Sequence, residues 1–272
     1  MKKIIISTIL FAFCYSLHAQ KLMTYNLRYD NPNDGINKWE LRKENIINLI
    51  NGYSPDVFGT QEGLCHQLDF LDENLPDYSY LGVGRDDGKK KGEYCAIFYK
   101  HSAYKIIKES TFWLSTSPNK ISVGWDAVLE RICTYVLFED KKSGKQFWVF
   151  NAHFDHVGKK AQYESAKLIL KQIQKLNQNN LPVVLMGDLN LKPESEAIKY
   201  LAENMIDSHL MAEKKSNIGT FNAFKHNEAV TDRIDYVFVD KSTKILNYKI
   251  IDLKVEGRYP SDHLPVMIEI QK

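Results

Sequence analysis

Apolar residues recur along this chain with two spacings, and the switches between them divide it into segments. Lys21 to Arg28 reads as a first strand, and Trp39 to Ile50 sets Trp39, Ile46, Ile47 and Ile50 on one face of a helix. A short strand at Val57-Phe58 leads to Glu62; a second helix covers Cys65 to Asn74 and stops before Pro76. Strand-like runs fill the middle, at Glu93 to Tyr99, Ile106 to Trp113, Arg131 to Phe138 and Gln146 to Asn151. Helical spacing returns over Lys160 to Leu176 and Ser195 to Ala202, on either side of an apolar strand at Val183 to Met186. The tail is again strand-like at Arg233 to Val239, Ile245 to Leu253 and Pro265 to Ile270. Many strands, few long helices and no regular βαβ alternation predict an α/β protein with two central sheets flanked by helices rather than one doubly wound sheet. Gly84 to Gly88 and Thr116 to Asp126 read as surface loops, and no internal repeat is evident.

Polar groups close five of the apolar runs: Asn26, Glu62, His153, the pair Asp188 and Asn190, and Asp262-His263. Such residues belong in water unless something charged holds them, so their placement beside core strands predicts one polar site at a sheet edge. Glu62, Asp188, Asn190, Asn26 and Asp262 offer the oxygen ligands that a hard cation such as magnesium prefers. His153 and His263 suit proton transfer or hydrogen bonding to a transition state. Asp235 lies in the apolar run RIDYVFV, where a buried carboxylate needs a partner, and orienting His263 would satisfy both. Taken singly, Glu62 also reads as a helix cap, Asp188 and Asn190 as a tight turn, and Asp235 as a partner for Arg233.

Composition narrows the context. Lys2-Lys3, an apolar stretch from Ile4 and the small Ala19 read as an export signal over residues 1–20, cleaved before or near Gln20. Residues 21–272 then form one domain that is expected to be monomeric, without a stable membrane span, and periplasmic or extracellular. The 36 Lys+Arg against 34 Asp+Glu exclude bulk charge as a basis for tight nonspecific nucleic-acid binding. Lys89, Lys90 and Lys91 follow Arg85 in the glycine-rich turn, as solvated charge or as a phosphate attractor. Cys65, Cys95 and Cys133 have no metal-type spacing; they read as buried thiols, with one disulfide left open by export.

Six motifs in order carry a resemblance to the endonuclease/exonuclease/phosphatase superfamily of metal-dependent phosphoesterases: TYN ending at Asn26, QE at 61–62, NAHFDH at 151–156, GDLN at 187–190, RIDYVF at 233–238 and SDHLPV at 261–266. The resemblance implies a four-layered α/β sandwich, helices outside two packed mixed sheets, and a magnesium cofactor that manganese can replace. It makes Glu62 the main metal ligand, helped by Asn26 and by Asp262 through water. Asp188 would orient or deprotonate the attacking water, Asn190 hold the phosphate, and His263 with Asp235 bond a phosphoryl oxygen or assist proton transfer. His153 would sit across the phosphate, with Glu93 as its orienting carboxylate. Arg131 is a candidate substrate contact, or a partner of Glu130 or Asp126. Arg28 is a second candidate, at a position where some branches carry an acid. Asp155 and His156 read either as substrate-side groups or as loop-structuring ones. Trp113 and Trp125 read as packing or stacking groups. The implied activity is hydrolysis of phosphodiester bonds, as in a nuclease, by in-line attack of water. The alternative is a lipid or small-molecule phosphoesterase, so the partner is nucleic acid, phospholipid or sugar phosphate.

Overall fold

The computed structural model describes residues 19–212 and 215–271. Strands β1 (Ala19–Asn26), β2 (Val57–Gln61), β3 (Tyr78–Leu81), β4 (Ile97–Lys100), β11 (Ile245–Ile250) and β12 (Val266–Gln271) form one sheet, in the order β11-β12-β1-β2-β4-β3. The other holds β5 (Tyr104–Trp113), β6 (Ile132–Asp140), β7 (Gln146–His153), β8 (Val183–Asp188), β9 (Ile206–Asp207) and β10 (Asp235–Val239), in the order β5-β6-β7-β8-β10-β9. Each sheet is mixed, with a single parallel pair: β1 with β2, and β7 with β8. A parallel pair needs a crossover, and α1 (Trp39–Tyr53) and α3 (Lys159–Leu176) supply the two. The sheets thus repeat one plan that the sequence does not display, and the first sheet draws its strands from both ends of the chain.

Side chains alternate along each strand, and both faces of each sheet are covered. Phe147 and Val149 point into the layer between the sheets, whereas Trp148 and Phe150 point out against α3 and α4 (Glu196–Asn204). Met23, Tyr25 and Phe58 face outward in the same way, onto α1 and α2 (Cys65–Asn74). The result is helix, sheet, sheet, helix, as expected. Two-sided burial also explains why the strands read as continuous apolar runs.

A buried polar clamp ties the sheets near the site. Asn151 Nδ2 donates to the Thr60 and Ala96 carbonyls at 2.9 and 2.8 Å, and its Oδ1 accepts from Gln61 Nε2 at 2.6 Å. Gly59 leaves the room: a Cβ there would stand 2.7 Å from Asn151 Cγ.

Several boundaries differ from expectation. Residues 93–96 precede β4 instead of belonging to it, because the Tyr94 N–H bonds the Gly63 carbonyl rather than a strand partner. β10 starts at Asp235, since the Ile234 and Asp235 N–H groups both donate to Thr220 Oγ1. β3, β9 and the short α5 (Ser208–Met211) were not anticipated. Cys65, Cys95 and Cys133 are free. Of the expected export signal, Ala19 and Gln20 open β1 and the rest lies outside the described residues.

Candidate active site

Parallel neighbours bring their carboxyl ends to one edge, and there Asn26 pairs in register with Gln61, and His153 with Asp188. Antiparallel strands contribute their beginnings: Asp235 pairs with Asp188, and Asp262-His263 lead into β12. Just beyond the strand ends the backbone turns left-handed at Arg28 (φ 58°), Glu62 (φ 62°) and Asn190 (φ 51°). For arginine and glutamate that conformation costs on the order of 1–3 kcal/mol, and here it turns side chains toward a common centre. Gly187 lets β8 lie close to β7, since a Cβ there would meet the Ala152 carbonyl oxygen at 1.9 Å.

At the centre Glu62, Asp188 and His263 present donor atoms that all lie within 4.8 Å of one another. Asn26 Nδ2 donates to Glu62 Oε1 at 3.0 Å and to Asp188 Oδ2 at 2.9 Å. The Tyr29 N–H holds Glu62 Oε2 at 3.1 Å, and the Asn190 N–H holds Asp188 Oδ1 at 2.9 Å. Burial pushes the Asp188 carboxyl up to about 7, against the pull of His263. Burial also raises Asp262, with Glu62 adding to the effect. Carboxylates crowded and buried in this way are the donor set that a divalent cation compensates.

The two histidines sit in opposite states. His263 Nδ1 lies 2.9 Å from Asp235 Oδ2, and its Nε2 lies 3.7 Å from Asp188 Oδ2. Burial opposes a charge on this ring, but Asp235 and Asp188 outweigh it and hold the imidazolium well above the ordinary histidine range. His153 is driven well below that range, first by burial and then by Arg131 and Arg85. Arg131 Nη1 and Asn190 Nδ2 donate to His153 Nε2 at 3.1 and 3.0 Å, so this neutral ring keeps its lone pair on Nε2 and its proton on Nδ1. Nδ1 faces Glu93 Oε2 at 3.8 Å.

Glu62, Asp188, Asn190, Asp235, His263, His153 and Glu93 thus converge; Asp188 and Asn190 also form the tight turn expected of them, the Asn190 N–H on Asp188 Oδ1, whereas the other structural alternatives do not hold. Glu62 caps no helix, and Arg233 pairs with Asp207 at 2.8 Å rather than with Asp235. Other expectations change. Asn26 gives its Oδ1 to the Arg28 N–H and turns its amide nitrogen to the carboxylates, so it braces them as a donor. Asp262, expected to act through water, stands beside the cluster of Glu62, Asp188 and His263 with its Oδ2 3.9 Å from Arg28 Nε. Arg28 forks Asp34, with both bonds at 3.0 Å, which commits the guanidinium to a carboxylate instead of substrate. Asp155 is 1% exposed and accepts from the Val128, Val157 and Gly158 N–H groups, a loop-ordering role. Arg131 pairs with neither Glu130 nor Asp126; besides His153 it donates from Nη2 to His156 Nδ1 at 2.9 Å. Asp126 instead caps α3 through the Lys160 and Ala161 N–H groups. His156 is exposed beside Arg131, and Trp113 packs with Cys95 and Ile132.

Two arginines have partners that their sequence setting does not suggest, Arg42 and the Arg85 of the glycine-rich turn. Arg42 of α1, 4% exposed, donates to the carbonyls of Leu27, Arg28, Asn37 and Pro260, fixing the end of β1 against the Ser261–His263 segment. Arg85 grips Glu93. An arginine on the polar side of a helix, or in a glycine-rich turn, carries no signal of such partners in sequence.

A four-layered α/β fold with an acid–histidine cluster at its strand ends is the arrangement of a metal-dependent phosphoesterase. The Endonuclease/Exonuclease/phosphatase family model matches residues 23–263, and the chain belongs to that family. Two solved structures from Bacteroides thetaiotaomicron are similar throughout. One, an endonuclease/exonuclease/phosphatase family protein, is 38% identical with a TM-score of 0.91, covering 94% of this chain and 98% of that one. The other, a mannosyl-6-phosphatase, is 39% identical with a TM-score of 0.90, covering 93% and 100%. Human Nocturnin is 24% identical over 264 residues, 85% of this chain and 58% of Nocturnin, so the chain spans little more than half of that relative.

Proposed function

We propose that this chain is an exported, magnesium-dependent phosphatase of phosphorylated sugars. The convergence of Glu62, Asp188 and His263 at the strand ends, with Asp235 behind His263, carries the hydrolase reading. Similarity to the mannosyl-6-phosphatase over nearly the whole of both chains supports the substrate class. The near-balance of charge fits a small ester better than a polyanion.

Glu62 and Asp188, with His263 beside them, would hold the cation, which supplies charge neutralisation at the phosphoryl oxygens and at the leaving oxygen. A phosphate monoester repels an incoming water, so the site must offset negative charge before attack. The His263 imidazolium, oriented by Asp235, offers Nε2–H toward a phosphoryl oxygen. Asp188, 1% exposed, orients the water and takes its proton. Arg131 and Asn190, both bonded to His153 Nε2, present donors on the opposite side, where a phosphate displaces their bonds to the ring.

The test uses residues 20–272 with mannose 6-phosphate, bis-nitrophenyl phosphate, RNA and sphingomyelin, with magnesium or EDTA. Hydrolysis of the sugar phosphate that EDTA abolishes, and that Asp188→Asn lowers by about a thousandfold or more in kcat, is expected. Preference for RNA or the diester would restore the nuclease reading and sink this one. Export predicts a secreted or periplasmic product whose N-terminal sequence begins at or near Gln20.

A further inference from the structure

The side of the site that faces His153 Nδ1 is built on an arginine that never reaches the substrate. Residues 84–93 fold back as a tight ribbon in which the Arg85 N–H donates to the Glu93 carbonyl at 3.1 Å and the Asp86 N–H to the Lys91 carbonyl at 3.1 Å. Gly84 admits the return strand, since a Cβ there would lie 2.2 Å from the Lys91 carbonyl oxygen. Trp113 Nε1 donates to the Arg85 carbonyl at 2.9 Å, anchoring the ribbon on β5. From this base Arg85 sends Nη1 to Glu93 Oε2 at 2.7 Å and Nη2 to Glu93 Oε1 at 2.8 Å.

Both ends of that fork are occupied, and Arg85 is 9% exposed, so it has no free pair of donors for a phosphate. Its effect must pass through Glu93, whose Oε2 faces His153 Nδ1 at 3.8 Å. On the far side of the ring, Arg131 and Asn190 donate to Nε2. Without Arg85 the carboxyl would be left in a buried setting with no bidentate partner, free to protonate or rotate away. We propose that Arg85 is a positioning residue of this site: by gripping both oxygens of Glu93 it holds that carboxylate facing His153 Nδ1–H and, with the donors at Nε2, sets the orientation of the ring.

The catalytic consequence rests on the hydrolase reading above, whereas the effect on the ring does not. At pH 8, with any ester the wild type hydrolyses, Arg85→Ala lowers kcat by about 30-fold with KM changed less than about twofold. Arg85→Lys returns the charge without the fork and recovers part of the loss. In a Glu93→Gln background, Arg85→Ala costs less than about a further twofold, because the pathway is already cut. Multiplying losses in that double variant, or a rise in KM with kcat kept, would overturn the proposal. Nitrogen-15 NMR of the histidine rings in metal-free protein supplies a readout independent of turnover. The wild type shows His153 protonated at Nδ1, and Arg85→Ala and Glu93→Gln shift its Nδ1 resonance while Nε2 stays unprotonated. An unmoved Nδ1 resonance in both variants also overturns it. Wild-type inactivity on every ester would instead count against the hydrolase reading, leaving the ring experiment to decide on Arg85. Should Arg85→Ala not fold, Arg85→Lys and Glu93→Gln carry both measurements.

Discussion

His263 is buried among acids, and its charge depends on Asp235 more than on any other group. Asp235→Asn keeps the shape but removes the counter-charge, so kcat should fall by about 100-fold or more while KM moves little, as steady-state kinetics on the preferred ester would show. Glu93 gives a pH signature of its own. Burial pushes its carboxyl from 4.5 up to about 7, with Arg85 pulling the other way. The folded state therefore keeps a proton that the unfolded chain releases, so this contribution to stability is full below 4.5 and lost as pH rises through about 7. Urea denaturation from pH 4.5 to 8 should show Glu93→Gln losing a decline of about 3 kcal/mol that the wild type has. At this scale the sequence displayed Glu62, Asp188 and His263, because acids and imidazoles at the ends of apolar runs have few other uses. It hid the direction of the Asn26 amide and the partners of Arg131, which depend on residues far away in the chain.

Among the elements, those with both faces buried were the most legible. β7 and β8 lie beneath α3 and α4 on one face and against the opposite sheet on the other, so their apolar runs end close to where the strands end. Edge pieces failed: β9 has 2 residues and β3 has 4, too short to set a period. Gly187 is the element-scale point of failure. Its φ of 148° and the Ala152 carbonyl beside it leave no place for a side chain. Gly187→Ala should cost about 3 kcal/mol or more, by strain and by parting β8 from β7, and calorimetry would register it. A melting temperature within a degree or two of wild type would show that the strand pair shifts to accommodate it.

Over the whole molecule, metal and fold should be linked. A cation held between Glu62 of one sheet and Asp188 of the other binds only when both sheets are in place, so magnesium at about a hundred times its dissociation constant should add about 2.7 kcal/mol to stability. EDTA should remove that gain, and Glu62→Gln should fail to show it; scanning fluorimetry with and without magnesium measures both. Two sheets with outer helices were readable from the order of segments, as was their shared edge as the place of the chemistry. The matched strand order was not, because one copy of the plan is divided between the two ends of the chain.

That division bears on the histidines. His153 belongs to the β7 sheet but faces an acid from the approach to β4, while His263 leads into β12 and is held by the first residue of β10. Each imidazole is thus steered by a carboxylate from the opposite sheet, like two clasps fastened in opposite directions across a hinge. A chain emerging from its N-terminus completes the first clasp by residue 153 and cannot close the second until residue 263 has followed. The site is therefore completed last, when the final strand slides in beside the first, and a chain still being synthesised is chemically silent.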